Sequence, residues 1–491
     1  MGLKLDEKNP RRWAERHFSG AALSDVRRVE RAQTIAEAMA ARPGESLPQL
    51  FAHRYDVKAA YRLFQLAEAT PDNLQVGHRE CVLAALEQPG TYLLLEDTSE
   101  LSWAGHQPIE GLGPVGASKE GQQGFLLHSV LAVGWRGLAP SSEPVRRLPV
   151  EVLGLADQQY HVRQPRPAGE RSEDARRRKS RQRESQLWQQ ASRRIGSAPA
   201  RGSVRWVRVC DRGADIYEFL ASCRQGGHGF VVRAAQNRAL IDPQTGQAAG
   251  HLFEAVGQVP ALGHFDLELR ARPGQPARTA HLAVGSLAVC LRAPQRPGQA
   301  AGSLPPIPCT AVRVWEPEPP QGVEPLEWVL LCDGPASRFQ QALEGALEYS
   351  ARWILEEFHK GLKTGLGAER LQLEKAHPLF AAIAIMSVVA LRLIELRERL
   401  RLEPQARAAA SGLDPLEREV LALACRRRLD TVQEVALAIG RLGGHLNRQR
   451  DGLPGWITLW RGMRRLNTLV EGARLASRLK KLRSSPFRKF G

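Results

Sequence analysis

Residues 348–365 read EYSARWILEEFHKGLKTG, and this stretch decides how the rest of the chain is read. On a helix turning about 100° per residue, Tyr349, Arg352, Trp353, Glu356, Lys360 and Lys363 fall within about 40–60° of a common line. An ordinary amphipathic helix puts aliphatic residues on one stripe and polar residues opposite. Here two aromatic residues, an acid and three bases share one stripe. The pattern describes a face turned toward an anion, with one carboxylate among the cations. Taken alone, it reads equally well as a solvated salt-bridge face, because Glu356 and Lys360 form an i,i+4 pair worth only a few tenths of a kcal/mol. Glu357 rivals Glu356 but lies about 100° off the stripe.

Two acids upstream stand at the ends of apolar runs. TYLLLEDTS (91–99) predicts a buried strand whose C-terminal end carries Asp97. Alone, Asp97 reads equally as a strand-end acid capping a turn. LLHSVLAVGW (126–135) predicts another strand. VRWVRVCDRGADIYEFL (204–220) alternates strictly, reaches Asp211 and continues as a helix. A strand, an acid and then a helix present a carboxylate at a sheet edge. Asp215 is a local rival, but it falls in the expected first helical turn, where the helix dipole favours any acid. Asp211 ends the strand and is the better ligand.

Around these segments, 491 residues suggest two to four domains. Residues 1–70 read as helical and basic. Ser24 is the expected cap of a helix through VRRVERAQTIAEAMAA, which carries Arg27, Arg28 and Arg31, and VKAAYRLFQLAEA predicts a second helix. That segment is either a helical cap with solvated arginines or a module whose bases meet DNA phosphates. Residues 163–194 are polar and dense in arginine, a loop leading into a helix near Trp188. Residues 240–335, with Gly/Pro turns and the segments TAHLAVGSLAVCLRA, PCTAVRVWEP and EPLEWVLLCDG, predict a separate antiparallel β insertion. From Arg338 onward the pattern is helical, ending in the basic, fraying tail KKLRSSPFRKFG.

The net charge of +17 suits a polyanionic partner, nucleic acid or an anionic membrane surface, or an arginine-rich proteome. No membrane span is expected. The most apolar run, Phe380 to Leu391, has twelve residues where a bilayer needs about 20, so it predicts a buried helix. The N-terminus MGLKLDEKNPRRW lacks an apolar signal core. Seven cysteines without a CxxC pair argue against a zinc ribbon or disulfide framework and fit a reducing cytoplasm.

The spacing Tyr349-x2-Arg352-x3-Glu356-x6-Lys363 resembles the YREK signature of the DDE transposases of bacterial insertion-sequence family four. LEDTS and VCDRGAD upstream, AALSDVRRVERA and AAYRLF near the N-terminus, and LGGHLNRQRDGLPGWITLWRGMRRL (442–466) are similar to segments of the same family, so the resemblance spans nearly the whole chain. It implies an α/β protein with a ribonuclease-H-like catalytic core and an inserted antiparallel β region. An all-α N-terminal DNA-binding domain and an all-α C-terminal region flank that core. The implied boundaries are 1–70, 71–375 with the insertion at about 240–335, and 376–491 for dimerisation.

The resemblance also implies site roles. Asp97, Asp211 and Glu356 are the expected catalytic acids and ligands of two Mg²⁺ ions, with Mn²⁺ an expected substitute. Hydrolysis of a phosphodiester needs an activated water and a stabilised leaving oxygen, which two hard cations held by carboxylates supply. Tyr349, Arg352, Lys360, Lys363, Arg233 and Arg238 are the expected phosphate contacts, Trp328 and Trp353 the expected acceptors of a flipped base, and Arg27 and Arg28 DNA contacts of the N-terminal domain. The expected partners are double-stranded DNA (terminal inverted repeats and target) and a second copy of the chain, at the bacterial nucleoid in the cytoplasm. The rival readings are a nuclease or resolvase of the same fold without strand transfer, and a non-catalytic DNA-binding repressor. The three intact acids count against the repressor.

Overall fold

The structure is a computed structural model that describes residues 10–104, 107–116, 122–137, 150–164, 183–269, 277–295, 304–448 and 451–484. The chain forms two compact units. The first comprises Met1–Cys81, Gly105–Leu112 and Glu357–Gly491, and the second Val82–Ala104 and Gly113–Glu356. Residues 165–182 of the arginine-rich segment and 485–491 of the basic tail lie outside the described residues.

The chain begins with short helices: α1 (Pro10–Phe18), α2 (Val26–Ala41), α3 (Leu47–Leu50), α4 (Arg54–Phe64), α5 (Pro71–Leu74) and α6 (Val76–Leu86). Two details differ from the sequence reading. Asp25, not Ser24, caps α2, its carboxylate accepting from the Arg27 amide at 2.9 Å. The second helix stops at Phe64, short of the expected Ala69. Thr70 caps α5 with Pro71 at its first position, and a helix rarely runs through the residue before proline.

The second unit is built on a sheet. Its strands are β1 (Gly90–Ala104), β2 (Gly113–Pro114), β3 (Gln122–Trp135), β4 (Glu151–His161), β5 (Val204–Cys210), β6 (Gly229–Arg233), β7 (Ala239–Ile241), β8 (Ala248–His251), β9 (Gly263–Leu269), β10 (Arg278–Leu291), β11 (Ile307–Trp315) and β12 (Glu327–Cys332). Among the described residues all twelve join one mixed sheet, in the order β2-β3-β1-β5-β6-β12-β11-β10-β7-β8, with β4 on β3 and β9 on β10. The β1–β5 and β5–β6 pairs are parallel, and the others are antiparallel. The expected β insertion is therefore antiparallel but not separate, because β12 pairs with β6 and carries the sheet onward. Helices α7 (Leu187–Ile195), α8 (Tyr217–Gln225) and α9 (Leu252–Gly257) pack in one apolar cluster that includes Trp188, Phe219, Leu220, Phe230, Val232 and Leu331.

A third difference concerns residues 348–365. The expected continuous helix is two, α10 (Phe339–Ser350) and α11 (Trp353–Lys360), followed by a π-helical turn at Gly361–Gly365. At the break the amides of Arg352, Ile354 and Leu355 bond three residues back, to Tyr349, Ala351 and Arg352. That tight turn and the wide turn after it change the rotation per residue, so the single stripe to Lys363 does not hold.

In the first unit, α12 (Ala376–Leu402) is long and apolar enough to cross a membrane, yet 72% of its most apolar window is buried inside the protein. It is a core helix. Next come α13 (Pro415–Cys425), α14 (Val432–Leu442) and α15 (Trp456–Ser484), which share a cluster of Leu421, Val435, Ile439, Leu459 and Leu466. Near the end of α14 the chain touches α15 backbone to backbone. A Cβ on Gly443 would strike the Thr458 carbonyl, and one on Gly462 the Ile439 carbonyl. Gly462→Ala should therefore lower stability by about 1–3 kcal/mol through overpacking. Gly257→Ala, at a glycine with nothing within 4 Å, should change it by less than about 0.5 kcal/mol. Thermal unfolding of the two variants checks this, and equal melting temperatures would refute the close-contact account.

Candidate active site

Strand β1 is central, with β3 on one side and β5 on the other. Its apolar run Leu93-Leu94-Leu95 is fully buried, as expected of a strand covered on both faces. Asp97 is not at the end of this strand, as the sequence suggested. β1 continues to Ala104, pairing with β3 throughout. It is the pairing with β5 that ends near the acid: Glu96 is opposite Cys210, and Asp97 and Asp211 are the next residues on the two parallel strands. Paired strands lie about 4.8 Å apart, and the Asp211 charge is felt at Asp97.

Alternation places Glu96 and Thr98 on the sheet face opposite Asp97. There Glu96, His128 and Arg208 are all fully buried. Glu96 accepts from Arg208 Nε at 3.0 Å and is 2.8 Å from His128 Nε2, while His128 Nδ1 is 2.8 Å from the Thr98 hydroxyl. Arg208 also donates to the Ser192 hydroxyl on α7 at 3.2 Å. Burial pushes the Glu96 carboxyl up, but Arg208 and His128 outweigh it and hold it below its ordinary value. None of these three residues was singled out from the sequence. The available signal was an acid inside an apolar run, and an arginine on the inward face of the alternating β5: charges in such places need partners.

Asp211 leaves β5 in extended conformation and caps a short 3₁₀ turn, its carboxylate accepting from the Gly213 amide at 2.9 Å. Asp215 lies before α8, not in its first turn. Its carboxylate accepts from the amides of Ala235 and Gln236, both at 2.8 Å, and from Arg238 Nε at 2.7 Å. It is fully engaged in holding the loop after β6. The same contact commits Arg238, which also donates to the Asp215 carbonyl at 2.7 Å. Arg238, expected as a phosphate contact, is thus engaged by Asp215 in this structure.

Arg352, in the turn between α10 and α11, joins the first and third acids. It donates to Asp97 Oδ2 at 2.8 Å and to Glu356. Its side chain is 15% exposed, that of Asp97 17% and that of Glu356 33%. Burial pushes the Asp97 carboxyl up to about 6, helped by the Asp211 and Glu356 charges and opposed by Arg352 and the Thr98 amide. Among the described residues no three acid, histidine or cysteine side chains are grouped to share one ion. The guanidinium balances the acids instead.

The aromatic residues lie close by. Arg352 stands over the Tyr349 ring at 5.8 Å, and Tyr349 is 6.3 Å from the half-buried Trp328. Trp353 is 46% exposed. Arg233 donates to the Glu327 carbonyl at 3.3 Å. In the first unit, Lys360 is exposed and Lys363 lies 3.3 Å from Glu369. Arg27 and Arg28 pair with Asp25 and Glu68.

Glu96→Gln would leave Arg208 buried and under-neutralised, at about 3–5 kcal/mol. The depressed Glu96 value means this stabilisation is present above the ordinary carboxylate range and lost on acidification. Urea unfolding should show a large deficit at neutral pH that shrinks only as pH falls below the ordinary carboxylate range, with Glu96→Gln/Arg208→Met recovering much of it. A deficit independent of pH would refute the ionic account.

Comparison with protein families gives two matches. The profile described as Transposase DNA-binding matches residues 10–69. That described as Transposase Tn5 dimerisation domain matches residues 388–481. The first spans α1 to α4, and the second runs from within α12 nearly to the end of α15. A transposase cleaves DNA and transfers strands, a task to which carboxylates are suited. With one such segment near each end of the chain, the matches support a Tn5-like transposase.

Proposed function

We propose that the chain excises and inserts a DNA element by cut-and-paste transposition, with Asp97, Asp211 and Glu356 as its DDE acids. The observation that supports this reading is the Arg352 link between Asp97 and Glu356, with Asp97 also feeling the Asp211 charge just past the last β1–β5 pair. A ribonuclease-H-like core is supported by the strand order β4-β3-β1-β5-β6, antiparallel in its first half and parallel in its second.

The donors are carboxylate oxygens, the chemistry that Mg²⁺ or Mn²⁺ takes, and with no three of them grouped around one point the half-buried Arg352 guanidinium supplies the positive charge between Asp97 and Glu356. A bound pair of ions would lower the pKa of a water and stabilise charge on phosphate and leaving oxygen. The chain's own residues do the rest. Asp97, Asp211 and Glu356 are the residues that would hold the ions. Arg352, released from Asp97 and Glu356, forks onto a phosphate, with the Tyr349 ring beneath it. In the second unit Arg233 is a further phosphate contact, and in the first unit Lys360 and Lys363 are. Trp328, beside Tyr349, and the exposed Trp353 offer faces for an extruded base. Water first displaces the 3′ oxygen at an element end. That 3′-OH then attacks a phosphate of the opposite strand, expelling the flanking DNA's 3′-OH and closing a hairpin; a second water reopens it, and the 3′-OH finally attacks a target phosphate, expelling a target 3′-OH. The chain works as a homodimer in the cytoplasm. On α15, Leu469, Leu475 and Leu479 are exposed and fall within about 120° of one another, a stripe for the partner copy.

Asp211→Asn should abolish cleavage of linear DNA carrying the element ends in Mg²⁺ while end binding survives. Because the Asp97 carboxyl is raised to about 6 and must ionise to hold a cation, Mg²⁺ affinity should fall as pH drops through about 6. Full cleavage by the variant sinks the three-acid reading. Cut ends without hairpins or joined products would favour a nuclease without strand transfer. Leu475→Glu/Leu479→Glu should shift the protein from dimer to monomer in analytical ultracentrifugation, and an unchanged dimer would rule out this stripe.

A further inference from the structure

We infer that the first unit contains a binding cavity for a small aromatic carboxylate, set among α1, α12, α13 and α15 and walled by Trp13, Trp460, Arg392 and Arg399. The inference goes beyond the transposase reading and does not depend on it. The cavity lies wholly in the helical unit, and none of Asp97, Asp211 and Glu356 lines it.

Size and shape come first. The cavity has a volume of about 120 Å³. A dry cavity of roughly 150 Å³ admits benzene, so a single six-membered ring is the body that fits. The walls suit such a ring. Trp13 of α1 is buried, and Leu393 and Leu396 of α12, Leu413 before α13 and Met463 of α15 add apolar surface. Two guanidinium–indole pairs complete the lining. Arg392 stands 5.5 Å from the Trp13 ring centroid, and Arg464 stands 5.4 Å from that of Trp460.

Charge then selects the ligand's sign. Among the described residues, four arginines line the space, Arg16, Arg392, Arg399 and Arg464, against two glutamates, Glu395 and Glu417. His17 on the same wall adds no charge at neutral pH, because burial, Arg16 and Arg392 push its imidazole down to about 3. Arg399 pairs with Glu395 at 2.6 Å, and the exposed Arg464 pairs with Glu45, which does not line the cavity. With Glu45 counted, four cations still face three acids, an excess that a monoanion matches. Burial pushes the Glu395 and Glu417 carboxyls up, so they resist ionisation. Burial also outweighs both acids at Arg392 and pushes its guanidinium down. Buried positive charge in excess of its counter-ions draws an anion.

Trp460 adds a directional group. Its indole N–H is buried and has no acceptor among the described residues. A buried donor left without an acceptor is costly, and a ligand oxygen removes that cost. One carboxylate can accept from this N–H and from a guanidinium together, while its ring fills the apolar part.

The test titrates the full chain with benzoate near neutral pH, by isothermal calorimetry and by thermal unfolding. The controls are benzamide (the ring without the charge), benzamidine (the ring with the opposite charge) and acetate (the charge without the ring). Benzoate should bind at a single site per chain with Kd below about 1 mM and raise the melting temperature, and each control should bind at least about tenfold more weakly. Trp460→Phe keeps a ring and removes the donor, so it should weaken benzoate by about three- to tenfold. Arg392→Gln should weaken it by at least about tenfold. Because Arg392 is buried, that variant counts only if it unfolds cooperatively. Met463→Trp, which fills the same space with a larger side chain, gives an independent reading and should abolish benzoate binding. Absence of benzoate binding up to about 10 mM overturns the site. Equal affinity for benzamide overturns the anion requirement, and equal affinity for acetate assigns the binding to surface arginines. Unchanged binding in cooperatively folded Met463→Trp places the ligand elsewhere and overturns the cavity.

Discussion

Arg208 is a whole guanidinium with no exposure, and its pairing with Glu96 ties two neighbouring strands on the face opposite the acids. A charge buried there is tolerable only with a partner. The strands must therefore keep the spacing and register that bring Glu96, His128 and Arg208 together. The last pair of that register, Glu96 with Cys210, is followed on the two chains by Asp97 and Asp211. The position of the candidate site follows from a salt bridge that never meets solvent.

The third acid arrives by a longer route. After β6 the chain runs through β7 to β12 before α10 begins at Phe339. Because β12 returns to pair with β6, this excursion extends the sheet, and the helices that follow start from it. Trp328 on β12 thereby comes to rest against Tyr349 on α10. One continuous sheet thus carries Asp97, leads directly into Asp211, and supports the aromatic neighbours of Arg352.

The apolar runs ending in acid made the two core strands legible, and alternation did the same for β10, β11 and β12. The length of β1 was not legible, since nothing after Asp97 in TSELSWA stops a strand and only the partner β3 shows that it continues. The break at Ala351–Arg352 was hidden because neither residue is a helix breaker, and its tight turn is stabilised by Arg352 reaching Asp97, 255 positions away. The choice between Asp211 and Asp215 was read from helix position. The physical reason lies elsewhere: the Asp215 oxygens are taken by the loop after β6. Arginine partners were the least legible feature. Arg28 meets Glu68 and Arg31 meets Asp56 across turns.

Arg352 gives the acid cluster an internal counter-ion. A pocket of carboxylates without one would repel itself and open, or take up whatever cation came first. With a tethered guanidinium in place, part of the cluster's negative charge is offset while the protein is idle. Any incoming divalent ion then competes with a side chain that cannot diffuse away, and an arriving phosphate offers that side chain another home. On the proposed reading, metal loading and DNA loading become a single exchange of positive charge, each easing the other.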